Sequence, residues 1–262
     1  MKILSYPQIG NNMEVLIITQ ARVGSTRLPK KVLKKISGET LLEVHINRIL
    51  KSKYKLVVAT TNEEEDDLIV EVAKKLNVDF YRGSVNDVLD RFYQTAKKYN
   101  PERVVRLTSD CPLIDPDLIE EVVNKAIKED LDYCSNTLVE AFPDGQDIEV
   151  FKFTALSSAW ENAKLNSERE HVTPFMKKNS SFLGGKIFKS DNYSCNKNYN
   201  KVRLTVDEIS DFEVIEYLVR KLGFDATWKE YADEYMTSGI SHLNNNIIRN
   251  EGYKKSLETD IS

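Results

Sequence analysis

The chain has 262 residues, 41% of them hydrophobic and 30% charged, and a formal net charge of −4. That balance supplies a sizeable core and excludes a general attraction to nucleic acid or to an anionic membrane, so an anionic ligand would need a local cationic pocket. Three widely spaced cysteines, Cys111, Cys134 and Cys195, lack metal-ligand spacing and read as reduced thiols of a cytoplasmic protein, and no stretch approaches the roughly 20 apolar residues that span a bilayer.

Met13 stands just before the first apolar run, so residues 1–12 read as a dispensable N-terminal extension. Residues 15–18, Val-Leu-Ile-Ile, predict a strand buried on both faces. A loop with Gly, Pro and Lys follows, then a helix through Leu41, Leu42, Val44, Ile46, Ile49 and Leu50, and a strand over 56–60. The acidic run 63–67 reads as a solvated helix start, where negative charge suits the dipole, rather than as a metal site. A short strand at 78–81 precedes a cap at 84–87 and a helix over 88–99. The strand 103–107 ends at Ser109-Asp110, and a helix runs from Asp115-Pro116 to about Glu129. Strands alternating with helices at this spacing imply an α/β fold: a Rossmann-like, mostly parallel sheet with helices on both faces. Ligands of such sheets bind at the carboxyl ends of the strands.

From about 136 to 200 the rhythm breaks, with helices expected only at 153–165 and 168–178, and this segment reads as an irregular insertion or lid. The pattern resumes with a strand at 202–206 and an amphipathic helix at 212–222. A single domain therefore spans 13–240, and the polar tail, 241–262, reads as peripheral.

Chemistry concentrates behind the predicted strands. After the first comes Gln20-Ala21-Arg22-Val23-Gly24-Ser25-Thr26-Arg27-Leu28-Pro29-Lys30-Lys31. Its glycine and hydroxyl residues permit close approach of backbone amides to phosphate oxygens. Arg22, Arg27, Lys30 and Lys31 supply charge to neutralise a polyphosphate and its leaving pyrophosphate. The loop is neither a P-loop nor a dinucleotide fingerprint, which weakens kinase and dehydrogenase readings; a basic surface turn is the bland alternative. Asp110 ends one strand and Asp207 another, and a pair of carboxylates with phosphate oxygens and water suits Mg2+. Each aspartate also reads as a helix cap. In the irregular region, Asp147, Glu149, Arg169 and His171 are candidate acceptor-binding residues. Asp147 and Glu149 would share one strand face, and His171 would titrate near neutrality. Surface polarity with a capping box at Ser167 and Glu170 is the alternative.

The loop has the form A-R-x-G-S-x-R-x-P-x-K, matched at every fixed position from Ala21 to Lys31. In this it resembles the cytidylyltransferases that activate sialic acid and 3-deoxy-manno-octulosonate. Arg82-Gly83-Ser84 through Asp87-Val88-Leu89-Asp90-Arg91, Asp110-Cys111-Pro112-Leu113, Glu168-Arg169-Glu170-His171-Val172-Thr173-Pro174 and Arg203-Leu204-Thr205-Val206-Asp207 are similar to the spore coat polysaccharide biosynthesis protein F group. The likeness covers roughly 14–235. It implies a nucleotidyltransferase sheet, CTP as donor, a small-molecule acceptor such as a sugar acid or phosphorylated polyol, and a role in surface polysaccharide biosynthesis. It places Arg22, Ser25, Arg27 and Lys31 on the nucleotide phosphates, with Ala21, Gly24, Ser109 and Arg106 beside the nucleotide, and Asp110 with Asp207 on magnesium. It also implies a homodimer joined through the irregular segment. Two other readings share the fold: a glycosyltransferase, which would release a nucleoside diphosphate, and a binding module without turnover.

Overall fold

The computed structural model describes residues 13–25 and 27–260, so the 1–12 extension and Thr26 lie outside the described residues. In chain order the elements are β1 (Met13–Gln20), β2 (Lys35–Ile36), β3 (Glu39–Thr40), α1 (Leu41–Ile49), β4 (Lys55–Thr61), α2 (Asp67–Lys75), β5 (Asp79–Gly83), α3 (Val88–Tyr99), β6 (Pro101–Thr108) and α4 (Pro116–Lys128). There follow β7 (Tyr133–Ser135), β8 (Glu149–Lys152), α5 (Phe153–Asn162), α6 (Asn166–His171), α7 (Pro174–Lys178), β9 (Ser190–Asn192), α8 (Ile209–Leu222), α9 (Trp228–Thr237) and α10 (Glu251–Thr259).

Seven strands form one sheet in the order β5-β4-β1-β6-β8-β7-β9. All pairings are parallel except those of β8, which runs against both β6 and β7. The centre of β1, residues 15–18, is apolar because both its faces are covered. Val15 and Ile17 pack with α1, α2 and α4, while Leu16 and Ile18 pack with α3 and α5. Local chemistry starts three of the helices: Thr40 and Glu43 form a capping box on α1, Asp87 caps α3, and Asp115 caps α4 just before Pro116. From β1 the chain winds outward through β4 to β5, then returns across α3 to β6 on the other side of β1. The strand order reverses between β1 and β6, the point at whose carboxyl ends sheets of this kind bind their ligands.

Four expectations change. The stretch 136–200 is not irregular throughout: β8 and β9 within it extend the main sheet, because Val150 and Phe151 continue its two apolar faces. The helix expected at 168–178 is two, α6 and α7. Pro174 cannot continue the ladder, and the chain reverses at Val172 (φ 71°, ψ −53°), where Thr173 N donates to the His171 carbonyl at 2.8 Å. That is a strained γ-turn, held by a completely buried Val172. Residues 202–206 are extended but outside the sheet. Val202, Leu204 and Val206 face α8 and α9, and the backbone bonds to Asp144 and Asp110 instead (Leu204 N to Asp144 O, 2.7 Å; Val206 N to Asp110 O, 2.8 Å). That approach demands Gly145, whose φ is 105° and whose added Cβ would lie 2.6 Å from the Leu204 backbone. Finally, the polar tail is not peripheral. Asn244 is fully buried, holding Tyr235, Asp211 and the Arg203 carbonyl, and α10 packs on α6.

Candidate functional site

The loop after β1 lies at the reversal point. Ala21 is buried, its amide on the Ala59 carbonyl at 3.1 Å. Val23 N donates to Asp66 Oδ1 at 2.7 Å, and the other Asp66 oxygen accepts from the Thr61 amide at 3.3 Å and from its hydroxyl. Asp66 is only 1% exposed, so the acidic run is not merely a solvated helix start: one member pins the loop after β1. Asp66→Ala should cost about 1–3 kcal/mol, the penalty of orphaning buried donors, seen as a lower urea midpoint. Beyond the pin, Gly24 leaves room for Glu65, and the Ser25 hydroxyl accepts from Leu28 N at 3.4 Å. Lys30 adopts a left-handed φ of 54° that starts one 3-10 turn, Lys31–Leu33. The turn leaves Lys30, like Arg22 and Arg27, exposed and carries Lys31 inward.

Lys31 meets both predicted metal ligands. Its Nζ lies 3.1 Å from Asp110 Oδ2 and 2.9 Å from Asp207 Oδ1, and Arg27 Nη2 is 3.0 Å from the same Asp207 oxygen. Burial pulls the Lys31 ammonium down, but the two carboxylates outweigh it and its pKa is raised. Burial pushes the Asp110 carboxyl up; the Lys31 charge, with hydrogen bonds from Thr108, Lys31 and Cys111, overrides this and holds it well below the usual carboxylate range. Lys31 and Asp110 are therefore both charged at neutral pH.

Asp110 is held by its neighbours. Its carbonyl accepts from Val206 N, and Thr205 Oγ1 donates to it at 3.2 Å. The next carbonyl, of Cys111, accepts from His45 Nδ1 at 2.8 Å, while His45 Nε2 accepts from Thr19 Oγ1 at 2.8 Å. Burial drives the His45 pKa down from 6.5 to about 4. The folded chain keeps this ring neutral while the unfolded chain binds a proton below about 6.5. Stability is thus full above that pH and falls by up to about 3 kcal/mol as pH drops toward 4. Urea unfolding at pH 7 and pH 5 checks this, and His45→Gln should flatten the dependence.

Asp207 is set by a residue that the sequence motif contains but whose role it does not announce. Arg203 donates to Asp207 Oδ2 (3.1 Å), Asp144 Oδ2 (2.6 Å) and both oxygens of Asp211 (2.8 and 3.0 Å). The signal was an arginine four and eight residues before two aspartates. Reading it needed the extended path of 203–207 into α8.

The acceptor candidates fall beside this cluster. Arg106 pairs with Glu149 at 2.5 Å, and Tyr133 OH donates to the other Glu149 oxygen at 2.6 Å. Burial raises the Glu149 carboxyl, but Arg106 and the hydrogen bonds prevail and leave it lowered. Asp147 precedes β8 rather than sharing its face, and binds Arg249 Nη2 at 2.6 Å. His171 does not titrate near neutrality: burial first, and then Arg106, push it down to about 4. Its Nε2 is buried with no hydrogen-bond partner among the described residues. Arg169 stands apart, bonded to Asp87 at 2.7 Å and to the Trp160 and Ala163 carbonyls, tying α6 to α3 and α5. Ser167 and Glu170 form no capping box; Glu168 accepts from the Lys164 and Leu165 amides, and Ser167 bonds Asp260. Ser109 is buried, its amide on the Gln20 carbonyl at 3.1 Å, joining the ends of β1 and β6. No cluster of three or more His, Cys, Asp or Glu side chains suited to a metal occurs among the described residues, and no helix there is long and apolar enough to cross a membrane.

A cationic loop closing on two carboxylates, Asp110 just past the end of β6 and Asp207 just before α8, at the reversal point of this sheet, is the architecture of a nucleotidyltransferase. A solved cytidylyltransferase of Leptospira borgpetersenii serovar Hardjo-bovis superposes with a TM-score of 0.84 at 33% identity, over 90% of this chain and 100% of that one. In sequence, the chain is 41% identical over 218 residues to an uncharacterized protein of Methanocaldococcus jannaschii (81% of this chain, 85% of that protein). It is 31% identical over 217 residues to spore coat polysaccharide biosynthesis protein SpsF of Bacillus subtilis (80% and 88%). Residues 16–239 match the family model described as Cytidylyltransferase. The chain belongs to the cytidylyltransferase family.

Proposed function

We propose that the protein transfers CMP from CTP to a small-molecule acceptor, a sugar acid or phosphorylated polyol, with release of pyrophosphate, for surface polysaccharide biosynthesis in the cytoplasm. The observation that carries this is Lys31 held between Asp110 and Asp207 at the β1–β6 reversal point. Arg22 and Arg27 would take the phosphates from the solvent side, and Lys31 would turn from the carboxylates to the charge developing on the α-phosphate and its leaving group. Ala21, Gly24, Ser25 and Ser109 would line the nucleotide, with Arg106 at its edge. Asp110 and Asp207 fit Mg2+: two carboxylates converging on one cation, with phosphate oxygens and water to complete the octahedron. The metal would draw charge off the phosphates as a Lewis acid.

Asp147, Glu149 and His171 would face the acceptor. The unpartnered His171 Nε2 supports this, since a buried polar atom wants a partner. Arg169 belongs to the proposal only as the brace of α6. Homodimerisation through 136–200 is part of the same reading, supported by exposed Phe182, Leu183 and Ile187 in that segment.

The test is pyrophosphate release with magnesium, each common ribonucleoside triphosphate and a panel of sugar acids and phosphorylated polyols. Release that needs CTP and one acceptor is the expected result. Release of a nucleoside diphosphate from a nucleotide sugar instead would overturn it.

A further inference from the structure

The family match ends at residue 239, yet the chain beyond it runs across the site. Arg249 reaches Asp147 (2.6 Å) and the Phe142 carbonyl (3.2 Å), with its Nε 3.8 Å from Asp144. Asn250 Nδ2 donates to Glu140 at 2.8 Å, and Glu251 Oε2 lies 3.2 Å from Arg27 Nη1. The Tyr253 ring stands edge-on to His171 at 5.1 Å, and Asp260 accepts from the Ser167 amide at 3.0 Å. The contacts at Asp147, Arg27 and His171 occupy groups that the nucleotide or the acceptor would use.

The segment is built to let go. On the near side it is anchored by the buried Asn244, and Asn250, at φ 60°, turns the chain into α10. Ser256 is the one buried residue of α10, whose Leu257 is 40% exposed, as is Ile248 (61%) before it. Polar contacts with little apolar burial mark an element at the low-stability end of a fold. Arg27 carries two carboxylates, Asp207 and Glu251. A metal can take up Asp207 when a triphosphate claims the arginine, but Glu251 would be left facing phosphate oxygens, like charge against like.

We propose that residues 247–260 are a gate, shut in the free protein by Glu251 standing where a phosphate would bind Arg27, and opened by the incoming triphosphate. This rests on reading the 20–31 loop as a triphosphate site. The experiment is amide hydrogen exchange with and without magnesium–CTP, together with calorimetric CTP affinity for the wild type and Glu251→Gln. Nucleotide should slow exchange in the 20–31 loop and quicken it in 247–260. Glu251→Gln should bind about two- to five-fold tighter, the range an exposed ion pair commands. Loop protection with an unchanged 247–260 segment and equal affinities would overturn the gate and leave the triphosphate site standing. Absence of loop protection and of binding heat in both proteins would remove the site, and the gate with it.

Discussion

Lys31→Ala should lose about 10²–10³-fold in turnover, the loss that follows removal of one preorganised charge-stabilising donor, while the chain stays folded by circular dichroism. Lys31 is the group that touches both Asp110 and Asp207. Its removal has a second signature. With the ammonium gone, Asp110 loses the charge that holds its carboxyl low, and two carboxylates face one another. A divalent cation titrated without nucleotide should then bind the variant more tightly than the wild type. A folded Lys31→Ala protein with full pyrophosphate release would sink the catalytic assignment.

Arg203→Met is expected to have the largest effect on stability. It strips the shared cation from Asp144, Asp207 and Asp211 together. Breaking a buried ionic group by removing one partner costs about 3–5 kcal/mol, which for a chain of this size lowers Tm by roughly 6–20 °C. The pH dependence gives the sign. Burial raises the Asp211 carboxyl, but Arg203 outweighs it and leaves the pKa depressed below 3.8. In the wild type this contributes stability that is present above pH 3.8 and lost as pH falls through the depressed value. In Arg203→Met that cation is gone, so the Asp211 carboxyl moves up from its depressed value and this contribution shrinks. Thermal melts at pH 7 check the loss, and a variant melting within 2 °C (roughly half a kcal/mol to 1 kcal/mol) of the wild type would overturn the assignment.

The readable parts of this site were those written in consecutive residues. The loop 20–31 declares itself because phosphate binding needs small residues and cations close together on one turn, and Asp110 because a strand that ends in a carboxylate delivers it to the sheet's carboxyl edge. His171 shows the limit. Its type and neighbours suggested a titrating group, but the buried setting beside Arg106, which pushes it to about 4, is created by chain segments 65 residues apart. Arg169 looked equally available and is consumed by Asp87 and two carbonyls. Asp66 was hidden in a charge run whose other members are exposed.

The sequence by itself determined the alternation of buried strands and helices, hence the mostly parallel sheet, because apolar periodicity and helix-start chemistry are local properties of the chain. It determined the chemistry of the 20–31 loop for the same reason. Tertiary structure alone decided that β8 and β9 join the main sheet, that Arg203 sets Asp207, and that the tail carries Arg249 and Glu251 into the site. Those outcomes depend on which distant carboxylates and carbonyls a charged side chain meets once the backbone has folded, and no local pattern specifies such a meeting.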